Sequence, residues 1–187
     1  MRKLGEVPKA PWEDPRTPWS TESQFMAYLR GCFRKAWNTH PVKLAVIKNN
    51  RKKVENPNPK GLRKEVWGFC CDICNQESVI KNAQVDHKEA CGSLQRVEDI
   101  QGFVERLLVV VEEDLRLICK HCNSILAYAD KHSLTFEQAR IEKEVIAFSK
   151  LTKEEQLATL LDQGFSGDEV SNLAKRKDAY RKYLLRR

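Results

Sequence analysis

Three short stretches carry residue types able to do chemistry at the spacing that chemistry needs: Cys71-x2-Cys74, Val85-Asp86-His87 and Leu117-Ile118-Cys119-x2-Cys122-Asn123. Two cysteine pairs, each separated by two residues, can turn four thiolates toward one ion, and four sulfurs in a tetrahedron make a zinc site. Cys70 also reaches an ion through the spacing Cys70-x3-Cys74, but the two-residue spacing favours Cys71. Disulfides are the competing use. An odd total of seven cysteines argues against them, as does an opening, Met1-Arg2-Lys3-Leu4-Gly5, that starts no apolar signal segment. Cys32 and Cys91 have no partner at ligand spacing and read as small buried apolar residues.

Bracketed by the cysteines, Asp86 and His87 form a second set with Asn123. Cutting a phosphodiester needs a nucleophilic water, a leaving oxygen relieved of its charge and a stabilised pentacoordinate phosphorus. A neutral histidine suits the first task because it titrates near working pH. A hard divalent cation on oxygen ligands suits the other two. His87 is the candidate base, and Asp86 and the Asn123 amide oxygen are candidate hard ligands. Neighbours on a strand point to opposite faces, so aiming Asp86 and His87 at one centre requires a bend at the strand end.

Charge points to a polyanionic partner. The formal net charge is +7 and the pI is near 9.0. From Arg30 to Lys64 there are eleven Lys or Arg against Glu55 alone. Arg30, Arg34, Lys35, Lys48, Arg51, Lys52, Lys53, Arg63 and Lys64 are the candidate nucleic-acid contacts, because neutralising phosphates takes many cations near the chemistry. The longest purely apolar run, Leu107 to Val111, is too short to span a bilayer, and the expectation is a protein of the cytoplasm.

The elements that must position these residues follow from periodicity. Residues 1 to 20 are rich in Pro and Trp without a period and read as an extended arm. Phe25, Leu29, Cys32, Phe33 and Ala36 predict an amphipathic helix over 22 to 38 with an aromatic stripe in the core. Asn49 to Lys60 reads as a basic loop. Val79 to Val85 suits a strand delivering Asp86 and His87 at its end. Ile100, Phe103, Val104 and Leu107 predict a helix over 96 to 108, read as an insertion before a second strand, Leu115 to Ile118. A helix should start after Cys119. So small a unit cannot bury enough apolar surface alone, which gives a zinc staple its purpose.

The C-terminal third carries three capping-box patterns, Thr135-x-x-Gln138, Thr152-x-x-Glu155 and Ser166-x-x-Glu169, which predict helices near 136 to 150, 153 to 163 and 167 to 185. The last holds Lys175, Arg176, Lys177, Arg181, Lys182, Arg186 and Arg187, either an auxiliary phosphate clamp or a solvated face. His121, between Cys119 and Cys122, reads as a solvent-facing loop residue with a substitute metal ligand as the alternative, and His132 as surface.

As a set, Cys71-x2-Cys74, Val85-Asp86-His87, Asp114-Leu115-Arg116-Leu117-Ile118-Cys119 and Cys122-Asn123 resemble the HNH endonucleases with a ββα-metal finger, in the zinc-stapled form common among phage and mobile-element proteins. The resemblance covers residues 66 to 132. The segments Trp19 to Pro41, Cys91-Gly92-Ser93 and Phe103-Val104-Glu105-Arg106-Leu107 are also similar to stand-alone phage HNH proteins. It implies that His87 is the general base, that Asp86 and Asn123 bind one catalytic Mg2+ or Mn2+, and that the four cysteines bind structural zinc. It further implies DNA cleavage to 5'-phosphate and 3'-hydroxyl ends. The chain departs from the family at three places. The middle asparagine, five residues before the third cysteine, is Asp114, so orienting the catalytic histidine falls to a carboxylate. The final histidine is Asn123. The lysine often found a few residues later is absent, with Leu126 and Ala127 there.

The expected fold is α+β: a small zinc-stapled ββα-metal finger with mostly helical extensions. The expected divisions are 1–64 for the arm, helix and basic loop, 65–133 for the nuclease module with its inserted helix, and 134–187 for the helical region. The expected function is a metal-dependent DNA endonuclease of weak sequence preference, with DNA as partner and no membrane. The alternative is a zinc-stapled DNA-binding or assembly protein derived from such a nuclease, with attenuated chemistry. A role in phage packaging follows only from the resemblance.

Overall fold

The computed structural model describes residues 10–58 and 63–186. Lys60, Arg187 and residues 1–9 of the arm lie outside the described residues. The chain is α+β, as expected, and divides into two compact units, Met1–Cys119 and Lys120–Arg187.

Among the described residues unit one opens with a short 3-10 helix, Pro11–Glu13, and then α1 (Glu22–Asn38), the helix that its apolar spacing predicts. Thr21 Oγ1 accepts the Gln24 N–H, satisfying one orphan donor of the first turn, and the Gln24 side chain accepts the Ser20 N–H just ahead of the helix. Residues 10–20 differ from the expected extended arm. Trp12 and Trp19 lay their rings against Phe25 on α1, at 5.7 and 5.0 Å between centroids. Without a period the segment shows no element signal, yet two indoles have enough apolar surface to fold it back.

After α2 (Pro41–Asn50) the expected basic loop is in fact partly a strand, β1 (Lys52–Glu55), paired antiparallel with β2 (Glu65–Cys70), which pairs in turn with β3 (Glu77–Val79). Three of the four β1 residues are solvated and charged, so the strand has no hydrophobic alternation to read. Its one buried side chain, Val54, lies over Gly68, where an added Cβ would collide with that side chain and with the Ser78 carbonyl.

The strand expected over 79 to 85 is two pieces. β3 stays in the first sheet, a 3-10 turn at Ile80–Asn82 redirects the chain, and β4 (Ala83–His87) joins the second. Asp86 and His87 therefore lie within β4. Next come α3 (Asp99–Leu108) and β5 (Leu115–Cys119), antiparallel to β4 from Ala83↔Cys119 to His87↔Leu115. Leu115, Leu117 and Ile118 are buried, as is Val46 of α2, and α2 packs on both strands. Each such side chain contributes about 1.5–3 kcal/mol by leaving water.

Unit two holds α4 (Lys120–His132), α5 (Phe136–Phe148), α6 (Lys153–Asp162) and α7 (Leu173–Arg186). The boxes at Thr135 and Thr152 open α5 and α6 as their spacing predicts. The Ser166–Glu169 box instead closes a 3-10 turn, Asp168–Val170, and α7 starts later, with the Asn172 side chain accepting the Lys175 N–H at 2.9 Å. Phe148, Leu160, Phe165, Val170 and Ala179 form its core. Among the described residues no helix is long and apolar enough to cross a membrane.

Candidate metal centre and histidine cleft

The first cysteine pair sits on a tight turn after β2. The Cys71 carbonyl accepts the Asn75 N–H at 2.9 Å, and Asn75 has φ +56°, a left-handed conformation that asparagine tolerates better than most residues. Asp72 pins this turn to β5: its N–H donates to the Leu117 carbonyl at 3.0 Å, and its carboxylate accepts the Leu117 N–H at 2.6 Å. Cys119 ends β5, and Cys122 follows in the first turn of α4.

The sulfurs of Cys71, Cys74, Cys119 and Cys122 all lie within 4.8 Å of one another. Tetrahedral zinc with Zn–S near 2.3 Å requires sulfurs about 3.8 Å apart, so the four side chains fit a metal such as zinc with little movement. Cys71 and Cys122 are buried, and the Cys119 N–H points at the Cys71 sulfur at 3.3 Å. Burial alone pushes the Cys71 thiol up. Backbone N–H groups of Cys74, Cys119 and Ile73 outweigh it and bring the thiol down to about 7, toward the thiolate a metal requires. Cys70 lies outside this set, and His121 is exposed on α4, a helix position where a loop is expected.

His87 and Asp86 have separate partners. Regular pairing runs through both, Asp86↔Arg116 and His87↔Leu115, so the bend assumed from the sequence is not part of β4. Asp86 Oδ2 accepts from Arg116 Nε at 2.8 Å and lies 2.7 Å from Arg116 Nη2. His87 Nε2 lies 3.1 Å from the Leu107 carbonyl at the end of α3. A carbonyl only accepts, so Nε2 carries the proton, and in the neutral ring the lone pair is on Nδ1. The ring packs on Trp37 at 4.4 Å, which also packs on His40 at 5.4 Å and carries Lys43 Nζ over its ring at 5.4 Å. His40 Nε2 bonds the Leu108 carbonyl at 3.0 Å. Two histidines thus satisfy successive carbonyls that the end of a helix leaves unpaired, with an indole between them.

Asp114 makes a local hydrogen bond. Its Oδ2 accepts the Val111 N–H at 2.9 Å and closes the 3-10 turn Glu112–Asp114, while the Leu107 carbonyl and Trp37 hold His87. Both residues line one cleft of about 570 Å³, with Lys88, Glu89, Glu105, Arg106, Val109, Val110 and Glu113. Asn123 is half-buried on α4, directly after Cys122. Sequence reasoning missed Trp37, the Leu107 carbonyl and Arg116. Only Arg116 left a signal, the polar position between Leu115 and Leu117 in a strand opposite Asp86.

The candidate nucleic-acid contacts divide by use. Arg30 donates to the Leu94 carbonyl, a structural contact within unit one. Arg34, Lys35 and Lys48 are exposed on α1 and α2, and Arg51, Lys52, Lys53, Arg63 and Lys64 are exposed around β1 and β2. Lys52 pairs with Glu77 at 2.6 Å. On α7 most cations are engaged internally. Arg176 is buried on Gln156 and the Val170 carbonyl, Arg181 pairs with Glu142, Lys182 with Asp178, and Lys175 donates to the Asp168 carbonyl. That disfavours the phosphate-clamp reading of this helix.

Compared with protein-family models, curated proteins and solved structures, the chain matches none of them.

Proposed function

We propose that the protein is a zinc-stapled, metal-dependent DNA endonuclease in which His87 activates water. The observation that carries this reading is the His87 ring, held through Nε2 by the Leu107 carbonyl, on the wall of an open cleft. That tautomer leaves Nδ1 as the basic nitrogen, the arrangement a general base needs. Zinc would be held by Cys71, Cys74, Cys119 and Cys122 and would act on the fold, since it stabilises only the state in which the four sulfurs are gathered. Asp86 and Asn123 would hold one Mg2+ or Mn2+, which supplies Lewis-acid stabilisation of the phosphate and leaving oxygen. The exposed cations on α1, α2, β1 and β2 would grip the DNA backbone in a way that depends on phosphates more than on sequence. Thiolates on zinc fit a reducing compartment such as the cytoplasm.

One observation favours a second reading, a DNA-binding or assembly protein with little or no cleavage. Asp86, the candidate cation ligand, is already bonded to Arg116. Supercoiled plasmid incubated with Mg2+, with Mn2+ or with neither, using wild type and His87→Ala, separates the two. Relaxed or linear plasmid that needs metal and His87 supports the nuclease. Plasmid left intact by both proteins while both still retard DNA in a gel supports the second reading.

A further inference from the structure

We propose that the exposed Trp67 of the first sheet binds single-stranded DNA by stacking an unpaired base on its indole. The inference rests on DNA being the partner, and it does not require cleavage. Of the four tryptophans, Trp67 alone is exposed, at 45%. Trp12 and Trp19 rest on Phe25, and Trp37 lies between two histidines, so each has a ring to cover it. Trp67 sits on β2, the central strand of its sheet, directly opposite Lys53.

Its neighbours are cations. Lys53 Nζ lies 4.4 Å and the Arg51 guanidinium 4.6 Å from the ring centroid. Among the described residues neither has an ion pair, whereas Lys52, on the opposite face of the same strand, is neutralised by Glu77. A groove beside the indole is lined by Lys53, Arg63, Lys81, Ile80 and Glu65. Three cations against one carboxylate leave it positive. Asn56 holds one end of this groove in place: its N–H donates to the Lys64 carbonyl at 2.9 Å, and its side chain donates to the Arg63 carbonyl at 3.0 Å. At Gly68, next to Trp67, no Cβ fits, so the backbone that presents the indole is closely packed beneath.

A flat, half-exposed aromatic among unpaired cations matches the needs of a single strand. In a duplex the base faces are already stacked, and the cations find only phosphates. In a single strand the faces are free: Arg51 and Lys53, which lie over the ring, swing out to the adjoining phosphates and a base stacks on the indole in their place. Trp67 then adds affinity for single strands that the cations alone do not confer on duplexes.

The test is fluorescence anisotropy of a labelled oligothymidylate and of a labelled duplex of equal length, using the full chain without added Mg2+ or Mn2+. Trp67→Ala should weaken oligothymidylate binding about tenfold or more. The duplex Kd should move less than about twofold, and the salt slope should persist because no phosphate contact is removed. Trp67→Phe should restore most of the loss, and it guards against a fold defect in the alanine protein. In wild type the oligothymidylate should also quench tryptophan emission more than in Trp67→Phe, which keeps the other three indoles. Equal affinities in all three proteins, or equal losses on single strand and duplex, would overturn the proposal. Tighter binding of oligouridylate would overturn the choice of DNA. Failure of the plasmid assay leaves each of these outcomes readable.

Discussion

Arg116 Nη2 lies 2.7 Å from Asp86 Oδ2, and the two residues are direct cross-strand partners on β4 and β5. That carboxylate oxygen accepts a hydrogen bond from Nε and lies in ion-pair contact with Nη2, and the strand ladder holds the pair together. Both side chains are about a quarter exposed, so the pair contributes on the order of 1 kcal/mol to stability and the fold tolerates its loss. Its larger effect would fall on the proposed cation at Asp86, which would share the carboxylate with a fixed positive charge. Arg116→Gln is expected to lower the Mg2+ concentration for half-maximal plasmid nicking several-fold. An unchanged requirement removes Asp86 from the list of cation ligands.

Asp114→Asn distinguishes the two tasks available to this residue. The amide oxygen can still accept the Val111 N–H, so the 3-10 turn should survive with less than about 0.5 kcal/mol lost. Because the Leu107 carbonyl and Trp37 hold His87, nicking should stay within about threefold of wild type. A change of tenfold or more in either direction means that the Asp114 carboxylate reaches the reaction.

Zinc content answers for the cysteines. Serine at Cys71, Cys74, Cys119 or Cys122 should remove about one bound zinc per chain by elemental analysis. The accompanying loss of several kcal/mol should lower Tm by roughly 10 °C or more. Serine at Cys70 should change neither. Full zinc content in the Cys71→Ser protein would transfer the fourth ligand elsewhere.

The zinc-free protein carries a pH signature. The folded Cys71 thiol is lowered from about 9 to about 7, so folding favours its deprotonated form. Its contribution to stability is full above pH 9 and is lost as pH falls through 7. Chemical denaturation of the zinc-free protein at pH 9 and pH 6.5 should therefore show higher stability at pH 9, with the difference reduced in Cys71→Ser.

Arg176 tests the packing of unit two. Its guanidinium is buried, with Nε on Gln156 Oε1 at 2.7 Å and Nη1 on the Val170 carbonyl at 3.1 Å. Arg176→Ala leaves two buried acceptors without donors and opens a void, a loss of about 2–4 kcal/mol measurable by urea denaturation. A loss below about 0.5 kcal/mol would mean that water replaces both hydrogen bonds.

Much of this protein is legible in its residue order because the governing rules are short-ranged. Cysteine spacing marked the four sulfurs, apolar periods marked α1 and α3, and capping boxes marked α5 and α6, each within a few residues. Tertiary structure decided what those rules do not reach. β1 is hidden because charged residues fill it, and it becomes a strand only when β2 supplies hydrogen bonds. The Asp86–Arg116 pair depends on register between segments thirty residues apart. His87 owes its tautomer to a carbonyl twenty residues away, and its packing to an indole on α1. Residue types and local spacing therefore determined which groups can do chemistry. Long-range pairing decided which of their atoms are left to do it, because a hydrogen bond already made within the fold removes that donor or acceptor from a ligand.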